Sequence, residues 1–159
     1  MPQTYATDEV IFGKGSSVRY SVLTGGSSAR PADAAFKTLT SVTTSEIKGT
    51  QDTKDTPVDY DSVDGDWKDS SVGSRGWSFS LSANKKNTST QATMLGELWD
   101  AWAAGSLVWV ERLLPTGTNW IGGLAFITDP SEPAPADGAI TFSCTFQGKR
   151  ALTKTAKAP

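Results

Sequence analysis

Four aspartates around Gly65 are the residues whose type and spacing most directly suggest chemistry in this sequence. They are Asp59, Asp61, Asp64 and Asp66. An EF-hand calcium loop carries acids at positions 1, 3 and 5, Gly at position 6 and Glu at position 12. Counted from Asp59, position 5 is Val63, position 6 is Asp64 and position 12 is Ser70, so the EF-hand frame is absent. A calcium site of another kind and a solvated acidic loop are the two interpretations left open.

The chemistry of the common hydrolases is excluded by composition. The chain has no histidine, which rules out a Ser-His-Asp triad, a Cys-His pair and any His-based metal site. The single cysteine, Cys144, stands on the apolar side of an alternating stretch, which predicts a buried, inert thiol. Asp100 and Glu111 are candidates for a glycosidase pair, but nothing in the sequence places them opposite each other. We therefore predict no catalytic residues, no enzyme activity and no cofactor.

Length and charge predict one domain without a dominant electrostatic partner. The 159 residues carry a net charge of −2, which gives no general attraction to nucleic acid or acidic membranes. The first ten residues lack the basic segment and apolar run of a signal peptide. No apolar stretch reaches membrane-spanning length. We expect a single domain over residues 1–159 that is made in the cytoplasm.

The segment from Lys48 to Arg75 is the most acidic part of the chain. It holds seven aspartates against four lysines and arginines, and it shows no clear periodicity, so we predict a long loop over residues 48–75. A purely disordered linker rarely carries groups such as Tyr60 and Trp67. We therefore expect this loop to dock on another surface.

One amphipathic helix is predicted at residues 88–104. Its apolar face consists of Leu95, Leu98, Trp99 and Trp102, which recur at helical spacing. Thr88 and Gln91 have the spacing of a capping box, in which a hydroxyl and a side-chain amide satisfy free backbone N–H groups. Gly105 stands where a left-handed residue would end the helix. Because this apolar face needs a sheet to cover, we expect its four residues to lie in the core.

The other segments have the alternation and turn signals of β-strands. Apolar residues alternate with Ser and Thr from Trp77 to Ala83 and from Ile140 to Phe146, which predicts strands with one buried and one wet face. Between them, a hairpin joins an apolar run at 107–110 to a return strand at 120–127.

Features next to these strands predict where the regular structure stops or bends. Glu111 and Arg112 break the apolar run of the hairpin, and Gly122-Gly123 marks a bulge or a close backbone approach. Three prolines predict an extended loop at 128–138. Residues 152–159, with Lys154 and Lys157, have no packing signal and predict a flexible tail.

The six tryptophans raise the alternative of a sugar-stacking platform on a carbohydrate-binding module. Four of them fall at core-facing positions of their predicted elements: Trp77, Trp99, Trp102 and Trp109. Trp67 and Trp120 are the two that remain as free candidates for binding.

The order of these pieces resembles that of a known family. An Asp-rich loop ending in G-W leads into W-S-F-S-L-S-A and the helix L-G-E-L-W-D-A-W. The hairpin V-W-V-E-R-L-L-P-T-G-T-N-W-I-G-G-L-A-F-I and the strand I-T-F-S-C-T-F-Q-G-K-R follow. Over about residues 18–152, this order is similar to the major tail tube protein of long-tailed bacteriophages, in the phage tail tube and type VI secretion tube-like superfamily.

The resemblance implies a mainly β fold, a β-sandwich or half-barrel flanked by the single helix, with long hairpins and an extended Asp-rich loop. It implies a structural subunit that self-assembles into stacked hexameric rings, through whose lumen DNA passes without specific binding. The implied partners are other copies of the chain, a tape measure protein, a tail terminator and tail tip or baseplate proteins. The implied location is the virion tail. A tube protein of a contractile or secretion apparatus is an alternative with nearly the same fold.

In the family, the long loop between early strands reaches a neighbouring ring. Carried over to this sequence, the resemblance implies an inter-ring assembly loop. Its candidate residues are Asp52, Asp55, Asp59, Tyr60, Asp61, Asp64, Asp66, Trp67 and Asp69.

Overall fold

The computed structural model describes residues 13–56 and 69–159. These residues form the strands β1 (Ser17–Val22), β2 (Lys37–Thr38), β3 (Val42–Thr56), β4 (Asp69–Asn84), β5 (Leu107–Leu113), β6 (Asn119–Ser131), β7 (Thr141–Gly148) and β8 (Thr153–Ala156). A 3-10 turn, η1 (Asp33–Ala35), precedes β2, and the helix α1 (Ser89–Ala103) joins β4 to β5. The predicted mainly β fold flanked by a single helix is confirmed.

The eight strands of the described chain form one antiparallel sheet in the order β2-β1-β5-β6-β7-β4-β3. The strand β6 is longer than its neighbours and pairs with β7 through its second half and with β8 through its first half. The sheet curls over its core: although three strands separate β5 from β3, Nη1 of Arg112 on β5 donates to the carbonyl oxygen of Ser45 on β3 at 2.8 Å.

The core lies inside this curl and is built from the apolar residues of the alternating strands. The rings of Phe79 and Phe146 meet edge to face with their centroids 5.9 Å apart. Tyr20 and Phe142 are also fully buried, and α1 covers the open side of the curl with Leu95 and other apolar residues. Each such side chain stabilises the fold by roughly 1.5–3 kcal/mol through its removal from water.

The C-terminus of α1 is capped as the sequence predicts, whereas its N-terminus is not. Gly105 has φ +64, and the N–H groups of Gly105 and Ser106 donate to the carbonyls of Trp102 and Ala101, which is the Schellman pattern. The predicted capping box is wrong: the Thr88 side chain makes no cap hydrogen bond. Gln91 is instead buried, and its amide donates to the carbonyl oxygens of Thr40 and Asn84.

The buried face of α1 is rotated from the predicted one. Its buried apolar residues are Met94, Leu95, Leu98 and Ala101. The assignment of Trp102 to the core is wrong, because 47% of its surface is exposed. Trp99 is half-buried and contacts Trp102 on one side and Phe142 on the other, both edge to face. The two tryptophan rings pack on each other at the rim of the core. Helical spacing alone therefore assigns one residue too many, Trp102, to the buried face.

The predicted loop at 48–75 is in large part a hairpin. Residues up to Thr56 continue β3, residues from Asp69 begin β4, and the two strands stay in register to the Thr56–Asp69 pair. Because this ribbon has polar side chains on both faces, it lacks the alternation of apolar and polar residues that indicates a strand.

Three further strand boundaries differ from prediction. The strand β5 continues through Glu111 to Leu113, because Glu111 is neutralised by arginines on the outer face of the sheet. The strand β6 extends to Ser131 into the predicted loop 128–138. The predicted flexible tail 152–159 is wrong for Thr153–Ala156, which pair with β6 as β8. In each case pairing with a neighbouring strand outweighs the local polar composition.

Candidate assembly surface

The hairpin β3–β4 projects beyond the rest of the sheet. The strand β4 pairs with β7 only from Ser78 onward, so before Ser78 its sole described neighbour is β3. We call this two-stranded ribbon, residues 49–56 and 69–76, the arm. At about 3.3 Å per residue, the arm carries its tip ~23 Å away from its base. Backbone groups along both of its edges lack strand partners within the described chain, which makes the arm suited to pairing with another chain.

A bulge bends the arm near its middle. Gln51 pairs with Arg75 and Thr53 with Val72, so that Asp52 faces two residues of β4. One of these, Ser74, donates to Oδ2 of Asp52 at 2.6 Å. The other, Gly73, lies so close that a Cβ there would be 2.8 Å from the Asp52 carbonyl oxygen. Glycine at this position and the Ser–Asp hydrogen bond thus hold the bulge, which sets the direction of the arm.

An open groove of about 740 Å³ lies at the base of the arm, and we call it the basal groove. Trp77 forms part of its wall and is held by a hydrogen bond from Nε1 to the carbonyl oxygen of Arg150 at 2.5 Å. The Trp77 ring packs on Gly148, where a Cβ would lie 2.3 Å from the ring, and on Gly123. Glycine at 148 therefore allows the tryptophan to lie flat where β7 ends and the chain turns towards β8.

The rim of the basal groove is positively charged. Arg75, Lys149 and Arg150 line it, together with the partly exposed Leu152. Within residues 13–56 and 69–159, none of these three cations forms an ion pair. The groove thus combines unneutralised positive charge with apolar surface.

The outer face of the limb β3–β4–β7–β6 carries short hydroxyl side chains. Rows run across the strands in register: Ser82 lies opposite Ser143, and Ser80 opposite Thr145. These residues are exposed or half-exposed. Its edge strand β3 adds the charges of Glu46 and Lys48, and Phe126 of β6, 39% exposed, lies in the row of Gln147 and Ser78. We call this surface the hydroxyl face.

The outer face of the other limb is covered by the segment between β1 and β2. Arg19 is buried between the rings of Trp120 and Phe36, at 3.7 and 4.4 Å from their centroids. Its guanidinium and that of Arg30 both bind Glu111, at 2.8 and 2.6 Å. Glu111 is 1% exposed, so its charge is neutralised by two arginines instead of by water.

A second polar contact joins β1, α1 and β2. The Tyr20 hydroxyl donates to Oε2 of Glu97 at 2.8 Å, and Lys37 forms an ion pair with Oε1 of the same carboxylate. The hydrogen bond from Lys37 holds the pKa of Glu97 below its usual value. Burial, with the hydrogen bond to Glu97, raises the pKa of Tyr20. The contact ties the helix to the edge of the sheet.

The residues that the sequence suggested for catalysis or ligand binding do not come together in one site of the structure. Burial raises the pKa of the Cys144 thiol to about 12, in agreement with the predicted inert cysteine. Trp120, predicted to be free, is instead buried beneath Arg19, so that prediction is wrong. Glu111 lies in its arginine cluster on the outer face, whereas Asp100 is exposed on α1. Among the described residues no group of His, Cys, Asp and Glu could hold a metal ion.

The predicted assembly-loop residues fall in two groups. Asp52 and Asp55 lie on β3 and Asp69 begins β4, so these three belong to the arm. Asp59, Tyr60, Asp61, Asp64, Asp66 and Trp67 lie outside the described residues. The basal groove and the hydroxyl face were missed by sequence analysis. The basic pair Lys149-Arg150 directly after the last predicted strand was the signal available for the groove.

Proteins of known structure share this fold. The chain is 20% identical to a protein from the tail of an empty gene transfer agent particle, refined helically with C6 symmetry; the match has a TM-score of 0.68 and covers 92% of this chain and 100% of the other. A protein of the SPP1 tail tube is 14% identical, with a TM-score of 0.67 and coverage of 94% and 81%. A protein of the anti-feeding prophage baseplate is 8% identical, with a TM-score of 0.63 and coverage of 96% and 98%.

Sequence comparison gives a family. No curated protein sequence matches the chain. In the described part of the chain, no helix is both long enough and apolar enough to span a membrane. The family model described as phage tail tube protein matches residues 17–154, which include every strand from β1 to β7 and all but the last two residues of β8. The chain therefore belongs to the phage tail tube protein family and is a structural subunit of a tail tube.

Proposed function

We propose that this subunit joins with copies of itself into closed rings of six, and that the rings stack into a tube through which DNA leaves the virion. The proposal rests on one observation, which is that both edges of the sheet have backbone groups without strand partners in the described chain. The whole outer edge of β3, over 15 residues, lacks a strand partner in the described chain. At the opposite edge, β2 covers β1 at only two residue pairs.

The two open edges differ from each other, which favours a ring. A contact between unlike surfaces of identical subunits is heterologous, and it closes into a ring when the rotation allows. Closure also removes the exposed edges that would cause uncontrolled association of a free subunit. The C6 symmetry in the gene transfer agent tail supports six as the number of subunits.

The hydroxyl face is our candidate for the wall of the lumen. Tight binding of DNA requires cations that neutralise phosphates, and this face offers mainly Ser and Thr, with Phe126 exposed among them and Glu46 and Lys48 at its edge. Such a wall lets DNA slide without being held. The other outer face is already covered by the segment between β1 and β2, and α1 covers the core.

The segment that joins Thr56 to Asp69 at the outer end of the arm is proposed as the inter-ring loop, together with Asp52, Asp55 and Asp69 of the arm. Its candidate residues are Asp59, Tyr60, Asp61, Asp64, Asp66 and Trp67. A tape measure protein, a tail terminator and tip or baseplate proteins are the proposed partners at the lumen and the tube ends. The proposed site of assembly is the host cytoplasm, and the tube resides in the virion.

Negative-stain electron microscopy of the purified protein tests the ring proposal. We expect rings and hollow tubes, and class averages along the axis should show six-fold symmetry. A strict monomer at every concentration would overturn the proposal. If the tubes are sheathed in their native particle, the contractile or secretion-type alternative is the correct assignment.

Cysteine accessibility tests the lumen assignment. Ser80→Cys places a reactive thiol on the hydroxyl face, while Cys144 stays buried and serves as an unreactive background. We expect a polymer-linked maleimide to label the free subunit but not the assembled tube, and a small maleimide to label both. Equal labelling of the tube by both reagents would place the hydroxyl face on the outside.

A further inference from the structure

The basal groove is built as an acceptor for a chain segment. On one side it is bounded by β4, whose edge has no described partner before Ser78. On the other side it is bounded by residues 148–152, which turn away from β4 towards β8. Gly49 is one of its lining residues, and nothing lies within 4 Å of the position that a Cβ would take there. An extended segment can lie in such a groove and pair with the free backbone groups of β4.

The chemistry of the groove specifies the segment that fits. Its rim carries Arg75, Lys149 and Arg150, and its accessible apolar surface comes mainly from Leu152, since Trp77 is 5% exposed. A complementary ligand must therefore be acidic and must also carry apolar groups.

One segment of this chain has that composition. Residues 57–68, P-V-D-Y-D-S-V-D-G-D-W-K, contain four aspartates and one lysine, interleaved with Val58, Tyr60, Val63 and Trp67. This segment begins and ends at the outer end of the arm, where Thr56 pairs with Asp69. The basal groove extends along the arm to the Gln51–Arg75 pair, ~17 Å short of this end. To enter its own groove, the segment would have to double back over that distance with nearly all of its residues extended, which favours the groove of a second copy.

We propose that the basal groove receives residues 57–68 of a second copy of the chain. Carboxylates of the segment bind Arg75, Lys149 and Arg150, and its apolar side chains cover Leu152. This inference rests on the proposed self-assembly and names its acceptor site. Because residues 57–68 are also the proposed inter-ring loop, the second copy belongs to the adjacent ring of the stack.

Charge reversal tests the proposal in both directions. The groove variant is Lys149→Glu/Arg150→Glu, and the segment variant is Asp59→Lys/Asp61→Lys/Asp64→Lys. Like charges then face each other in either variant, and we expect the critical concentration for tube formation to rise on the order of a hundredfold. The control Lys154→Glu/Lys157→Glu changes the net charge by the same amount at residues outside the groove, and it should assemble like wild type. Thermal unfolding of each subunit verifies that the fold is retained.

Two rescue experiments separate a contact between copies from a contact within one copy. A chain that carries both reversals should assemble again, because its positive segment meets a negative groove. A 1:1 mixture of the two single-reversal variants should also assemble, because a stack in which the two variants alternate matches every segment with an opposite groove. Rescue in the combined chain without rescue in the mixture would show that each segment binds its own groove, and would overturn the proposal.

The outcomes also distinguish this inference from the proposed function. If wild type forms tubes and the groove variant assembles equally well, the groove assignment is wrong and the tube assignment stands. If wild type forms neither rings nor tubes, the proposed self-assembly itself fails. The salt dependence of wild-type assembly gives an independent measure, since screening should weaken this contact between 50 and 500 mM salt, as the Debye length falls from about 14 to about 4 Å.

Discussion

At the scale of single residues, several glycines hold positions where no side chain fits. A Cβ on Gly122 would lie 1.9 Å from the Val110 carbonyl oxygen, and one on Gly148 would lie 2.3 Å from the Trp77 ring. Gly122 stands where the sequence predicts a bulge or a close backbone approach, and the pairing of β5 with β6 runs through it without a register shift. The close approach is therefore the correct alternative.

Gly148→Ala should destabilise the subunit by about 1–3 kcal/mol, the usual result of forcing an extra methyl into a packed site. The displaced Trp77 ring would also lose its hydrogen bond to Arg150. Thermal unfolding measures the effect. Gly49→Ala is the matched control, since nothing lies within 4 Å of its Cβ. Equal unfolding temperatures for the two variants would show that the Trp77–Gly148 contact is not tight.

Glu97→Gln should show a stability difference that depends on pH. The pKa of Glu97 is lowered in the folded state, so its contribution is present above the ordinary Glu pKa and is lost as pH falls through the lower, folded pKa. The pair with Lys37 is partly exposed, so we expect a difference of less than about 1 kcal/mol at neutral pH.

Chemical denaturation of wild type and Glu97→Gln between pH 3 and 7 measures this difference. Asp137→Asn is the control, because Asp137 forms no ion pair in the described part of the chain. A gap between wild type and Glu97→Gln that stays constant down to pH 3 would contradict the assigned role of the carboxylate.

At the scale of elements, the helix shows what helical periodicity can and cannot determine. The position and end of α1 follow from Leu95, Leu98 and Gly105, because these signals are local. Which neighbouring residues complete its buried face depends on the curl of the sheet. The same holds for Trp120, whose burial depends on Arg19, about a hundred residues earlier in the chain.

Leu98→Ala and Trp102→Ala should therefore lower the free energy of unfolding by different amounts, although the sequence assigns both residues to one face of the helix. Leu98 is fully buried, and its truncation should cost about 2–5 kcal/mol. Trp102 is exposed and loses mainly its contact with Trp99, which is worth about 0.5–1.5 kcal/mol. Denaturant unfolding of both variants measures the two costs. A larger loss for Trp102→Ala would mean that its ring is buried in solution.

The strands show a similar division between local and distant information. The alternation of apolar and polar residues identified β7 and the part of β4 from Trp77 onward, since one face of each is apolar. The arm and β8 lack that alternation because they touch little of the core, so their existence depends on pairing partners that no local pattern displays. The arm carries three of the predicted assembly-loop residues, Asp52, Asp55 and Asp69, which is why composition indicated this part of the assembly surface and periodicity did not.

At the scale of the whole molecule, the hydrophobic core and the arm are physically separate. The core lies within the curled sheet and under α1, whereas the arm is held by a single ladder between β3 and β4. Changes at the outer end of the arm should therefore affect assembly and leave the folding of the subunit intact.

Replacement of residues 57–68 by Asn-Gly should leave a folded subunit that no longer forms tubes. Thr56 and Asp69 are directly paired, so a two-residue Asn-Gly turn can join them. Circular dichroism measures the fold, and electron microscopy measures assembly. A variant with the same twelve residues in shuffled order keeps length and charge and tests whether their order matters. Normal tubes from the Asn-Gly variant would exclude this segment from assembly.

The bulge at Asp52, Gly73 and Ser74 has a consequence for the shape of a long polymer. It fixes the angle between the arm and the sheet by one extra residue on β4. In a filament, a small angular offset at one repeated contact adds up from layer to layer and becomes the pitch of the whole particle. Deletion of Ser74 would remove the offset in every layer at once, so it should change helical rise and twist while the monomer hardly differs. The helical parameters of the tube would then depend on the Ser74 hydroxyl and on the absence of a side chain at Gly73.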